Sequence, residues 1–210
     1  MWESEARRLR LVQLRLECIR LDEAGRLVRA SGSDPDEIST CSVARFTDGY
    51  DMLFSAEADE VVVERATALP PERYFEDTAA VARHVAAGRR VAITRCSTYA
   101  FADSSSSAPD DSVVRRGPED CAAMVAGREV AWASSSRSDT CAAELWAHTD
   151  PEYQGQGYGR QVATAWAAEV VAAGKVAFYS HLDDNLPSRR LAASLGVRHL
   201  FDLANVTVEQ

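Results

Sequence analysis

The 210-residue chain reads as an α/β (α+β) protein in two parts. Three observations carry that reading. The first half holds two hairpin signals among helical stretches. A polar, small-residue stretch at 104–112 (Ser104-Ser105-Ser106-Ser107-Ala108-Pro109-Asp110-Asp111-Ser112) separates the halves. The second half sets a strand, a glycine-rich turn, a helix, a second strand and a short helix in that order. The expected organisation is an N-terminal α+β domain at 1–103, a linker at 104–112 and a second domain at 113–210.

From the N-terminus, Trp2 to Leu14 carries apolar residues at helical spacing. Leu14, Leu16 and Cys18 then alternate with Arg15 and Glu17, which predicts a strand. Asp22-Glu23-Ala24-Gly25 turns into Leu27-Val28, a first hairpin. Ala44 to Thr47, Asp48-Gly49 and Tyr50 to Phe54 make a second, because Asp-Gly between apolar runs is a turn signal. Glu57 to Leu69 predicts a helix stopped by Pro70-Pro71, and Glu76 to Ala87 another, ended by Gly88. Val91 to Thr94 and Tyr99 to Phe101 are strand candidates. Val113-Val114, Cys121 to Val125 and Val130 to Ser136 follow as strands, with a Gly127-Arg128-Glu129 turn. Residues 144–149 predict a strand that places Glu144, Trp146 and His148 on one face. Arg160 to Ala173 predicts a helix stopped by Gly174, Val176 to Ser180 a strand, and Arg189 to Leu195 a helix ended by Gly196.

Composition narrows the function classes. Hydrophobic content of 46% supports an ordinary buried core, and the net charge of −9 argues against a broad phosphate-binding surface. No run approaches the ~18 apolar residues of a membrane span. Met1 to Leu21 is interrupted by arginines and has no continuous apolar segment, so it does not read as a signal peptide. The five cysteines include no C-x-x-C pair. We expect free thiols, mostly buried, in a reducing cytoplasm and no bound metal.

Gln154-Gly155-Gln156-Gly157-Tyr158-Gly159 is the most informative stretch. Alternate glycines turn the backbone tightly and leave its N–H groups uncovered. The helix start that follows adds unpaired amides and a positive dipole end, a site for a pyrophosphate.

The order from about 121 to 203 resembles the GNAT N-acetyltransferase superfamily, whose signature Q/R-x-x-G-x-G/A is matched by Gln154, Gly157 and Gly159. The context PEYQGQGYG and the later DNLPSRRLAASLGV are similar to the family's acyl-CoA half. The added N-terminal part looks like that of two-part bacterial GNAT-like proteins. The resemblance implies a mixed, mostly antiparallel sheet flanked by helices. It implies acetyl-CoA, or another acyl-CoA, as donor substrate, and an amine-bearing small molecule or peptide as acceptor. By the same carry-over, the amides around Gln154, Gly155, Gln156, Gly157, Tyr158, Gly159 and Arg160 hold the pyrophosphate, and the backbone near His148 and Thr149 pairs with the pantetheine arm. Asn185 and Ser188 match positions that contact the coenzyme arm; helix capping is their plain alternative. Glu144 resembles the glutamate some members use as base, often through water, and its plain alternative is a surface or ion-paired glutamate. His148 is a second candidate.

Two features depart from the family pattern. Only about seven residues separate Val113-Val114 from Cys121, where two helices usually shape the acceptor pocket. The usual proton-donating tyrosine of the last helix is Ala192, so Tyr179, Ser180 and His181 are the substitutes to consider. Trp132, Trp146 and Trp166 read as core or pocket-wall aromatics. The leading expectation is an N-acyltransferase working by direct attack in a ternary complex. A GNAT-fold transferase using an aminoacyl-tRNA and a non-catalytic coenzyme-binding protein are the alternatives, and a homodimer stays open.

Overall fold

The computed structural model describes residues 4–30, 38–86, 88–102 and 113–209. The expected linker at 104–112 lies outside the described residues. Two compact units form: Met1–Ser97 with Leu200–Gln210, and Thr98–His199.

In the first unit, α1 (Glu5–Leu16) starts at Ser4, whose side chain accepts from the Arg7 amide. Leu14 and Leu16 are buried helix residues, not the alternating strand that their spacing with Cys18 predicts. Helical and strand periods cannot be told apart over so few residues. Cys18 takes a positive φ of 58°, and the strand begins one residue later. The short hairpin of β1 (Ile19–Leu21) and β2 (Leu27–Arg29) is closed by the Asp22 carboxylate, which accepts from the Ala24 and Arg26 amides. The second hairpin, β3 (Cys41–Phe46) with β4 (Gly49–Phe54), is antiparallel as predicted. Three short helices follow, α2 (Glu60–Thr67), α3 (Arg73–Glu76) and α4 (Thr78–Val85). Asp59 and Asp77 cap α2 and α4, so both start later than the sequence pattern suggests.

The two strand candidates between 91 and 101 are one strand, β5 (Val91–Ala100). A strand that the sequence reading missed, β11 (Arg198–Val208), closes the chain and pairs antiparallel with β3. Asn205 and Thr207 alternating with Ala204, Val206 and Val208 was the available signal. Within the first unit the strand order is β4-β3-β11-β5.

The second unit is a mixed, mostly antiparallel sheet in the order β10-β9-β8-β7-β6, with the end of β5 beside β10. Its strands are β6 (Val113–Gly117), β7 (Asp120–Val125), β8 (Arg128–Ser138), β9 (Ala142–Thr149) and β10 (Val176–Leu182). Tight turns join β6, β7 and β8, so no helix separates them. Helix α5 (Tyr158–Ala172) packs Val162, Ala163, Trp166 and Val170 against Cys121, Ala123, Ala131, Ala133, Ala143 and Leu145. The small sheet residues let the helix approach closely, and Trp166 fills the space left, donating its indole N–H to the Ser135 hydroxyl at 3.0 Å. Helix α6 (Leu186–Leu195) packs on the same cluster through Ala192 and Leu191. By strand alternation, Ala122, Trp132, Ser134, Glu144, Trp146 and His148 face the other side of the sheet.

Candidate active site

The glycine loop is built for its shape. A single helical turn at Pro151–Tyr153 leaves β9, and the Gln154 side chain donates to the Thr149 carbonyl at 3.3 Å. Gln156 donates to the Glu152 carbonyl at 3.0 Å. Gly155 and Gly157 take φ values of 76° and 94°, which L side chains adopt only with strain. Gly159 serves a different need: a Cβ there would stand 2.9 Å from the Thr149 hydroxyl, so only glycine lets the helix start sit against the end of β9.

Gly157 is the N-cap of α5 and supplies no side-chain cap. The helical ladder opens with the Gln161 amide donating to the Gly157 carbonyl at 3.0 Å. The amides of Tyr158, Gly159 and Arg160 therefore point out of the helix start without an intrahelical acceptor. With the dipole end behind them they favour an anion.

The second feature is a split in the sheet. β9 and β10 run parallel, but their ladder holds only Val176↔Ala142, Ala177↔Ala143 and Phe178↔Glu144. β9 continues five residues to Thr149 and β10 four to Leu182 with no further pairing between them. The β9 edge from Leu145 to Thr149 can thus accept an extended ligand as an added strand. That edge leads from Glu144 to the open amides of α5.

The candidate catalytic residues lie around this split. Glu144 is 7% exposed, and its carboxylate lies 3.4 Å from the Arg137 guanidinium. A bulge in β8 between Ser135 and Arg137 sets Arg137 opposite Glu144. Sequence reading missed this partner, since a bulge leaves no mark in the spacing. Ser180 is on the Glu144 face, two residues beyond Phe178, and its hydroxyl is 3.2 Å from that of Thr98. His148 is four residues further along β9, ~13 Å from Glu144 by strand rise. Its side chain is 51% exposed and its Nε2 is 3.5 Å from the Asp150 carboxylate. Glu144 and Ser180 lie on one face of neighbouring strands, Ser180 beyond the point where the ladder ends; His148 stands further along β9 near the loop.

At the next helix, Asn185 caps α6 by accepting from the Ser188 amide at 3.1 Å. The Ser188 carbonyl accepts from the buried Tyr179 hydroxyl at 3.3 Å. Burial pushes the Tyr179 phenol above its ordinary pKa, with the Ser188 hydrogen bond opposing it and Tyr99 adding to it. His181 is buried beneath the Tyr99 ring at 5.5 Å, its Nδ1 3.0 Å from the Leu182 carbonyl, and its Nε2 has no hydrogen-bond partner among the described residues. Ala192 is packed in the core, where the family's tyrosine would otherwise stand. Burial pushes the thiols of Cys41 and Cys121 up to about 12 and about 11, which removes them as nucleophiles. Among the described residues no group of three or more His, Cys, Asp or Glu side chains could hold a metal ion, and no helix is long and apolar enough to cross a membrane.

Residues 129–206 match the family described as FR47-like protein. A GNAT-family acetyltransferase from Colwellia psychrerythraea superposes with a TM-score of 0.50 at 10% identity, over 91% of this chain and 80% of that one. A GNAT-family protein from Novosphingobium aromaticivorans DSM 12444 gives 0.48 at 21% identity, over 59% and 69%. A GCN5-related N-acetyltransferase-like protein from Streptococcus suis 89/1591 gives 0.46 at 14%, over 91% and 88%. No curated protein matches the chain. The chain has the fold of the GNAT acetyltransferases. Its FR47-like segment contains the glycine loop, the split strands and both helix starts.

Proposed function

We propose that this chain is an N-acyltransferase that moves an acyl group, acetyl by default, from acyl-CoA to an amine by direct attack in a ternary complex. The observation that supports it is the meeting of two features on β9: the uncapped start of α5 at one end and the parted ladder beginning at Glu144. Separately, a glycine-rich turn or a frayed strand would mean little.

The residues fit the donor. The amides from Gly155 to Arg160 would hold its pyrophosphate, and the β9 edge would pair with its pantetheine arm. Bound acyl-CoA supplies a thioester carbonyl open to attack. Glu144 takes the proton released by the amine as the C–N bond forms and the C–S bond breaks, its electron pair going to sulfur. Ser180, at the end of β10, is a candidate donor to the leaving thiolate. With Ala192 in the tyrosine position, the thiolate leaves with help from the β10 end or unassisted, since a thiol pKa near ~8.5 makes it a fair leaving group. That same absence, together with the Glu144–Arg137 pair, favours coenzyme binding without transfer as the second reading.

The test is thermal unfolding with acetyl-CoA. Ligand at about 100 times its Kd adds roughly 2.7 kcal/mol, a rise of roughly 5–10 °C for a chain of this size. Gly157→Trp should abolish the rise. An unchanged midpoint at millimolar acetyl-CoA would turn attention to an aminoacyl-tRNA donor. Given binding, Glu144→Gln should lower kcat by about a hundredfold or more while leaving the coenzyme Kd in place. Unchanged turnover would remove Glu144 from the mechanism.

A further inference from the structure

The sheet face that carries Glu144 also carries an open row of aromatic side chains. Trp146 is 61% exposed, although tryptophan is among the residues with most to gain from burial. Its ring meets that of Trp132 edge to face, 5.0 Å between centroids at 85°. Trp132 in turn lies 6.0 Å from the His148 ring at 30°. The strand register explains the row. Trp132 is opposite His148 and Ala122, Ser134 is opposite Trp146, and Val114, 48% exposed, is opposite Ala122. Paired residues share a face, so this is one surface built by four strands. Helix α5 packs on the other face, and no helix forms between β6 and β9.

Trp146 is two residues from Glu144 on the same face, ~7 Å along the strand. An indole edge and a carboxylate at that separation suit one kind of molecule. Amines arrive from water as ammonium ions, which a carboxylate and an aromatic face both attract. A flat body attached to that ammonium can lie on Trp146 while the nitrogen reaches Glu144. Arg137 shares the Glu144 carboxylate, so charge alone holds such a cation weakly and the ring contact must supply selectivity.

Resting on the acyltransferase reading, we propose that Trp146 and Trp132 form the platform of the acceptor site, and that the acceptor is a primary amine carried on an aromatic body, bound initially as its ammonium ion. Trp146 is the residue that sets specificity and Trp132 holds it in place.

The experiment measures calorimetric binding of three probes to protein saturated with CoA: phenethylamine, hexylamine and phenethyl alcohol. The amine with a ring should bind at least about tenfold more tightly than either the ringless amine or the uncharged alcohol. With CoA kept saturating for each protein, Trp146→Ala should weaken phenethylamine by about tenfold, and Trp146→Phe should restore most of the loss. Equal binding of the three probes, no binding of any, or indifference to Trp146→Ala overturns the acceptor class while leaving the donor site standing. A wild-type protein that fails to bind CoA overturns both readings together. A wild-type dimer that Trp146→Ala converts to monomer shows that a second copy covers this face, and also overturns the proposal.

Discussion

The two helices that follow the parallel strands begin in opposite ways. α6 opens on Asn185, whose side chain accepts from the Ser188 amide, and so satisfies part of its own start. α5 opens on Gly157, which has no side chain to offer, after a loop with two residues in the left-handed region. One start is closed by its own sequence; the other leaves its amides for something else. Both lie in one unit and both follow a strand, so neither helix length nor context forces the difference. Ordinary helix economy favours the α6 solution, and its absence at the longer helix is the contrast on which the proposed coenzyme site rests.

Four single substitutions, one of them extended to a double-mutant cycle, test this contrast from the largest expected effect down. Gly157→Val puts a β-branched residue at φ 94°. It should destabilise the protein by about 1–3 kcal/mol and weaken coenzyme binding at least about tenfold by moving the amides. Calorimetry with CoA checks this, and unchanged affinity would break the idea that loop shape places them. Gly159→Ala should lower stability by about 1–2 kcal/mol through the clash with Thr149. Adding Thr149→Ala should recover at least half, since the overlapping atom is the Thr149 hydroxyl. A double-mutant cycle on thermal midpoints with no coupling would show that the neighbours relax instead.

Asn185→Ala should lower stability by about 1 kcal/mol, or roughly 2–4 °C, and leave CoA affinity within about twofold. A larger loss of affinity would turn the cap into a coenzyme contact and erase the contrast between the two helices.

The smallest effect concerns the far end of α5, which is fastened rather than open. Lys175 lies 2.6 Å from the Glu119 carboxylate, which also accepts from Ser135. Burial pushes the Glu119 pKa up, but hydrogen bonds from Lys175, Ser135 and Ser138 outweigh it, and the net shift is below the ordinary value of 4.5. A depressed carboxylate adds stability that is fully present above its unfolded value and fades as pH falls through the folded one. Lys175→Gln should therefore lower the midpoint by a few degrees at neutral pH. The difference should vanish in the acid range below 4.5. A pH-independent difference would assign the loss to packing.

Much of the second unit was legible because its signals are local. Gly155 and Gly157 declare a turn before a helix start, and Gly174 and Gly196 declare helix ends, through φ preferences that each residue carries by itself. The hairpins at Asp22 and Asp48 were legible for the same reason. Leu14 and Leu16 misled, since a few alternating residues also fit a helix whose apolar face is decided by what packs on it. β11 was overlooked because its partner β3 lies more than 150 residues away.

The sequence by itself determined which backbone conformations are permitted: where glycine must turn, where helices start and stop, and that a strand carrying Glu144, Trp146 and His148 precedes the loop. Only the tertiary structure decided what meets what. It parted β9 from β10 after Glu144, set Arg137 across from that carboxylate through a bulge, buried His181 beneath Tyr99, and put Trp146 in the open. The physical reason is range. Dihedral preferences and caps act within a few residues, whereas strand register, burial and ion pairing are fixed by contacts between segments far apart in the chain.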